Sequence, residues 1–181
     1  MNKYELARET RDFCGTTLHR IRAIRDIPRF SVKSGDLGGW IETPHNLSQY
    51  GDAWVSEDAC VLGNAQVYDN ACVFGGALVS DDARVHGYAQ VYDNASVSGY
   101  AEVYGDAWVY GNAQVYDNAR VCDNARVYGE AWVYDNAEVY DNAWVYGYAS
   151  VADNAVVYGD AQVRGGDRLR DYAQRRGDTQ L

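Results

Sequence analysis

The sequence predicts an all-β solenoid, and three observations predict it. Residues 51–164 are one six-residue unit repeated nineteen times without an insertion. Alanine returns at every sixth position from Ala53 to Ala161, and valine from Val55 to Val163. Gly or Asp opens each unit except the second, which opens with Glu57. A fixed short period of this kind marks a chain that coils and stacks on itself, each coil touching only its neighbours.

Each unit supplies one short strand and one corner. Its Ala and Val lie two apart, and side chains alternate along a strand, so both point to one side. That side is the interior, because it alone is uniformly small and apolar. The residue between them and the residue after Val point outward. The opening Gly or Asp and the Asp or Asn that often follows form the turn, since these residues tolerate left-handed backbone.

Composition excludes several classes. The net charge of −10 is unevenly placed. Residues 51–163 hold 3 Arg against 17 Asp and Glu, whereas residues 1–50 hold 8 Lys and Arg against 6 acids, and residues 164–181 hold 5 Arg against 3 Asp. An acidic body lacks the basic stripe that tracks a phosphate backbone, so direct nucleic-acid binding through the rod is not expected. No apolar run is long enough to span a bilayer, and Met1-Asn2-Lys3-Tyr4-Glu5 does not open like a signal peptide, so a cytoplasmic protein without membrane contact is expected. Cys14, Cys60, Cys72 and Cys122 form no C-x-x-C pair and no metal-ligand spacing, as free thiols in a reducing compartment would.

The unit small-x-aliphatic with Gly, Asp and Asn corners resembles the hexapeptide repeat of left-handed parallel β-helices. The resemblance implies left-handed coils of three hexads, 18 residues each, with a triangular cross-section. Nineteen hexads then make about six coils, a rod of roughly 30 Å at one rung per 4.8 Å. Outside the repeat, Met1-Asn2-Lys3-Tyr4-Glu5-Leu6, Gly35-Asp36-Leu37-Gly38-Gly39-Trp40-Ile41-Glu42, Asn46-Leu47-Ser48 and Gly51-Asp52-Ala53-Trp54-Val55 are similar to the start of YdcK-type proteins, bacterial and prophage hexapeptide-repeat proteins labelled as transferases. The flanking segments, 1–50 and 165–181, are expected to be small caps that protect the open strand edges around the 51–164 body. In the first, an extended segment is expected around Leu18–Ile27 and a turn at Gly35–Gly39. In the Arg-rich second, Asp167 is placed to cap a short helix. The cluster Arg20, Arg22, Arg25 and Arg29 belongs to the cap or meets an acidic partner.

An 18-residue coil sorts the outward residues onto three faces. The first carries Phe74, Tyr92, Tyr110, Tyr128 and Tyr146 in one column, with Trp108 and Trp144 in the column beside it. The second face is blander, with Leu62, Ser80, Ser98, Tyr116, Tyr134 and Ala152. The third carries Tyr68, His86, Tyr104, Cys122, Tyr140 and Tyr158 beside Arg84, Glu102, Arg120 and Glu138, whose alternating charges attract only at this period. The first face predicts an exposed aromatic strip, which suits self-association or a protein partner; a homo-oligomer fits the same surface. Stacked aromatics also stabilise strand surfaces without any partner.

Chemistry is sparse. The resemblance implies an acyltransferase that uses a histidine at a subunit cleft and an acyl-CoA donor. His86 is the candidate base, or it simply replaces a Tyr in its column. No loop interrupts the hexads to build a pocket, and no other cofactor is expected. Asp117, Asp135 and Asp153 could hold Ca²⁺, but Gly and Asp interchange at this position, so they are read as corner residues and no metal is expected. Three functions follow: a non-catalytic interaction scaffold using the aromatic face, an acidic DNA mimic that inhibits a nucleic-acid-binding enzyme and suits a prophage, or an acyltransferase.

Overall fold

The computed structural model describes residues 2–177. Three sheets run the length of the rod, and successive hexads feed them in turn. β1 (Tyr4–Phe13), β2 (Thr16–Ala23) and β3 (Leu37–Ile41) form an antiparallel entry, and β3 pairs in parallel with β5 (Cys60–Val61). β4 (Trp54–Val55) heads the first sheet and β6 (Gln66–Val67) the third. Within the body every partner lies 18 residues on, as in Gln90↔Trp108, Ser96↔Gln114 and Glu102↔Arg120. The chain is an all-β parallel β-solenoid.

The interior is the Ala–Val column. From Ala53 to Val163 the repeat alanines and valines are all buried. Small Ala at the bend and β-branched Val on the strand fill the narrow interior, which larger residues would overpack.

The opening residue of each hexad makes the corner. Asp69, Asp117, Asp135 and Asp153 all sit at φ of 57–59°. Their carboxylates have a second task. Asp69 accepts the N–H of Gly87, Asp93 that of Gly111, Asp135 that of Asp153 and Asp153 that of Asp171, each one coil further on, at 3.1–3.2 Å. Asp therefore satisfies both the left-handed corner and the corner above it, which explains its exchange with Gly.

The solenoid runs to about eight turns, more than the six expected. Eight parallel strands line the second sheet from β3 to Arg168–Leu169. Two changes hid the extra turns. At the start, β3 pairs at an offset of 20 rather than 18, Trp40 with Cys60 and Ile41 with Val61. At the other end the hexads continue through Arg168–Leu169 and Gln174–Gly177, but Asp167 replaces the inner Ala and Arg175 the inner Val. Asp167 caps no helix; its carboxylate accepts the N–H of Arg164 and a hydrogen bond from Arg175. Gly38 and Gly39 lie in β3 rather than in a turn, and close packing rather than a corner requires glycine there: a Cβ on either would lie within 2.7 Å of its neighbours, Ile21 and Val55 among them. The turn itself occupies Lys33–Asp36, closed by the N–H of Asp36 on Lys33 O.

The entry segment covers the open edges of the first coil. Trp40 and Glu42 N–H groups donate to Ala59 and Val61 on the second sheet. On the third, the Asn46 amide donates to Gly63 O at 3.0 Å and Ala65 O at 2.9 Å. On the first, the Lys3 ammonium donates to Ala53 O at 2.5 Å. Lys3 and Asn46 are the two fully buried polar side chains among the described residues, and each satisfies a carbonyl that would otherwise be an orphan. Among the described residues no helix is long and apolar enough to cross a membrane.

Candidate functional site: the laddered faces

The first face is an unbroken ring stack. Phe74, Tyr92, Tyr110, Tyr128 and Tyr146 stack in order, with centroids 4.8–5.0 Å apart and planes within 6° of parallel. The rung spacing of the sheet sets that distance, so identical residues in register stack without any adjustment. Each ring covers its neighbours, and all five are half-buried rather than fully exposed. Burial pushes the hydroxyls of Tyr92, Tyr110 and Tyr128 above the usual phenol range.

The neighbouring column adds a cation to the aromatics. The Arg126 guanidinium lies 4.6 Å from the Trp108 ring and 5.3 Å from the Trp144 ring, between the two. Trp144 also meets Tyr128 edge-on at 6.4 Å. Reading the columns one by one found the tryptophans but missed this sandwich; its signal was Trp-x₁₇-Arg-x₁₇-Trp. The two outward columns of this face, Trp54 to Gln162 and Ser56 to Arg164, contain no Asp or Glu.

The third face holds the charge ladder in the expected register. Arg84 meets Glu102 at 3.1 Å, Glu102 meets Arg120 at 3.9 Å and Arg120 meets Glu138 at 3.5 Å. A groove of about 450 Å³ runs along it, lined by His45, Gln66, Arg84, Tyr100, Glu102 and Arg120 among others.

His86 lies outside that groove's lining. Its ring stacks between Tyr68 at 4.6 Å and Tyr104 at 5.1 Å, both nearly parallel. Nδ1 is 3.8 Å from Asp69, whose carboxylate is held by the Gly87 N–H. Burial pushes the imidazole below its ordinary value, against the pull of Asp69 and Glu102. His86 occupies a tyrosine's place in a stack. The four cysteines are unpaired, three of them buried, and burial pushes the Cys72 thiol up to about 12.

Fold and faces together define the class, a parallel β-solenoid repeat protein. A family model described as the YdcK beta solenoid repeat matches residues 65–81, 113–121 and 119–135, all within the repeat body. No curated protein shows significant similarity to the chain.

Proposed function

We propose that this protein is a non-catalytic interaction scaffold that self-associates through its first face. The observation that carries the reading is the unbroken stack from Phe74 to Tyr146 beside Trp108–Arg126–Trp144. A second copy is the natural occupant, because its face repeats at the same pitch and can match the first rung for rung. The two outward columns of the face also hold no Asp or Glu in a body carrying 17, with Asp106 at the border beside Trp108 and Arg126, so two copies meet less like-charge repulsion there than on the third face. A foreign protein on the same strip is the other outcome. The reading carries the left-handed coil that the hexad pattern implies, and a cytoplasmic location in keeping with four unpaired thiols.

Sedimentation of the native chain from low to high salt tests it. The expected mass exceeds the 20.1 kDa of one chain and is insensitive to salt. A single chain at every concentration contradicts self-association.

One observation favours a second reading as an acidic mimic of nucleic acid. Asp117, Asp135, Asp153 and Asp171 form a straight row, one carboxylate per coil. That reading expects salt-sensitive capture of a DNA-binding protein in competition with DNA. The acyltransferase reading gains no such support, since His86 lies outside the lining of the groove on its face.

A further inference from the structure

The second face contains a gap in its outer columns near the C-terminal end. The column before Val runs Gln114, Trp132, Ser150, Arg168, in parallel register. Ser150 leaves one rung nearly empty between a large ring and a guanidinium. In the adjacent column Ala152 replaces the usual Tyr, and Arg170 leans across it to donate to the Tyr134 hydroxyl at 3.4 Å. That contact walls one side of the gap, and Tyr148 and Glu130 stand on the other. The result is a cavity of about 250 Å³ lined by Glu130, Trp132, Tyr134, Tyr148, Ser150 and Arg168 among others.

Three features meet in this slot. Trp132 is 47% and Tyr148 70% exposed, whereas the stacked rings of the first face are half-buried. The Trp132 ring has no stacking partner among the described residues, although rings one rung apart elsewhere stack at 4.6–5.4 Å. No carboxylate among the described residues pairs with Arg168, as with Arg164 near the same end of the rod, whereas Arg84, Arg120 and Arg175 are all ion-paired.

We propose that this slot binds a small planar aromatic anion, whose ring fills the missing rung at Ser150 beside Trp132 and whose carboxylate pairs with Arg168. The rung pitch fixes the ring's place, one step from Trp132 and one from Arg168. The cavity is smaller than the roughly 300–1,000 Å³ that holds a drug-sized ligand, so the occupant has one or two rings. Guanidinium and carboxylate form the stronger, charge-assisted kind of hydrogen bond, and the exposed Trp supplies stacking. Glu130 and the Ser150 hydroxyl remain as polar partners for ring substituents.

Calorimetric titration with 2-naphthoate tests the slot, with cyclohexanecarboxylate as the non-planar control. The native chain is expected to bind naphthoate saturably in the millimolar range or tighter, and the control much more weakly. Ser150→Trp fills the slot with a residue the same column already uses at Trp132, so the fold survives, as circular dichroism would show, and binding disappears. Arg168→Gln weakens binding about tenfold through loss of the charged pair. Absence of saturable binding to the native chain, equal binding of the control, or undiminished binding by Ser150→Trp or Arg168→Gln would each overturn the proposal.

Discussion

The first and second faces enclose the same interior and differ outside it. Beneath both lie buried Ala and Val at every rung. Above, the first face carries five consecutive stacked rings, whereas the second carries one stacked pair, Tyr116 and Tyr134, and then a gap. Their upper edges differ too: a strand continues the second sheet, while a buried ammonium closes the first. The fold thus fixes three positions of each hexad and leaves the outward ones free, and function is to be sought where those free positions form an unbroken run or break one.

The largest expected effect shows the faces as equals. Val127→Asp under the first and Val133→Asp under the second each bury an unpaired charge and should each cost about 4 kcal/mol or more. Urea unfolding measures both, and a clear inequality would mean that the interior is not uniform.

The next effect separates them. Tyr110→Ala with Tyr128→Ala removes three stacked pairs, and Tyr116→Ala with Tyr134→Ala removes one. At about 0.5–1.5 kcal/mol per pair, the first double variant should lose roughly 2–4 kcal/mol and the second about 1. Equal losses would show that stacking contributes nothing beyond burial.

The edges differ in their response to pH. Burial pushes the Lys3 ammonium down from 10.5 to about 8, helped by Arg25 and opposed by Asp52. A lysine depressed in the folded state makes the unfolded chain bind more protons between those values, so the Lys3 contribution to stability should rise from about pH 8 to pH 10.5, opposed above pH 9 by the buried Cys60, Cys72 and Cys122 thiols, which burial pushes up. The gain is up to roughly 3 kcal/mol and is best read below pH 10, before tyrosines ionise. Thermal unfolding of the native chain beside Lys3→Met isolates the lysine: the stability difference between the two should shift in favour of the native chain over this range, and a constant difference would contradict the assignment. The smallest effect lies on the third face, where Glu102→Gln should cost under about 1 kcal/mol in urea unfolding because its ion pairs with Arg84 and Arg120 are exposed.

How much of this was legible in the sequence follows from where the period holds. Inside the repeat, spacing showed the interior and the corners, and the 18-residue coil that the resemblance implies added the faces and the Arg84–Glu138 ladder, because residues 18 apart are then neighbours. It failed where the register changes. The 20-residue offset above Cys60 hid the pairing of β3 and the roles of Lys3 and Asn46. Asp167 and Arg175, standing where Ala and Val recur, hid the continuation of the coil through the last hexads. The aromatic column was legible, but the half-burial of its rings was not, since mutual covering depends on ring orientation. The slot at Ser150 was visible only as two small residues in bland columns, and it needed Arg170 and Tyr148 in space to become a cavity.

The proposed meeting of two copies through the first face makes a direct demand on the mass in solution. Light scattering on the two tyrosine double variants beside the native chain tests it most directly. Tyr116→Ala with Tyr134→Ala should keep the native mass, while Tyr110→Ala with Tyr128→Ala should fall to the 20.1 kDa of a single chain. An unchanged mass for the first-face variant, with its fold intact, would rule out self-association through this face.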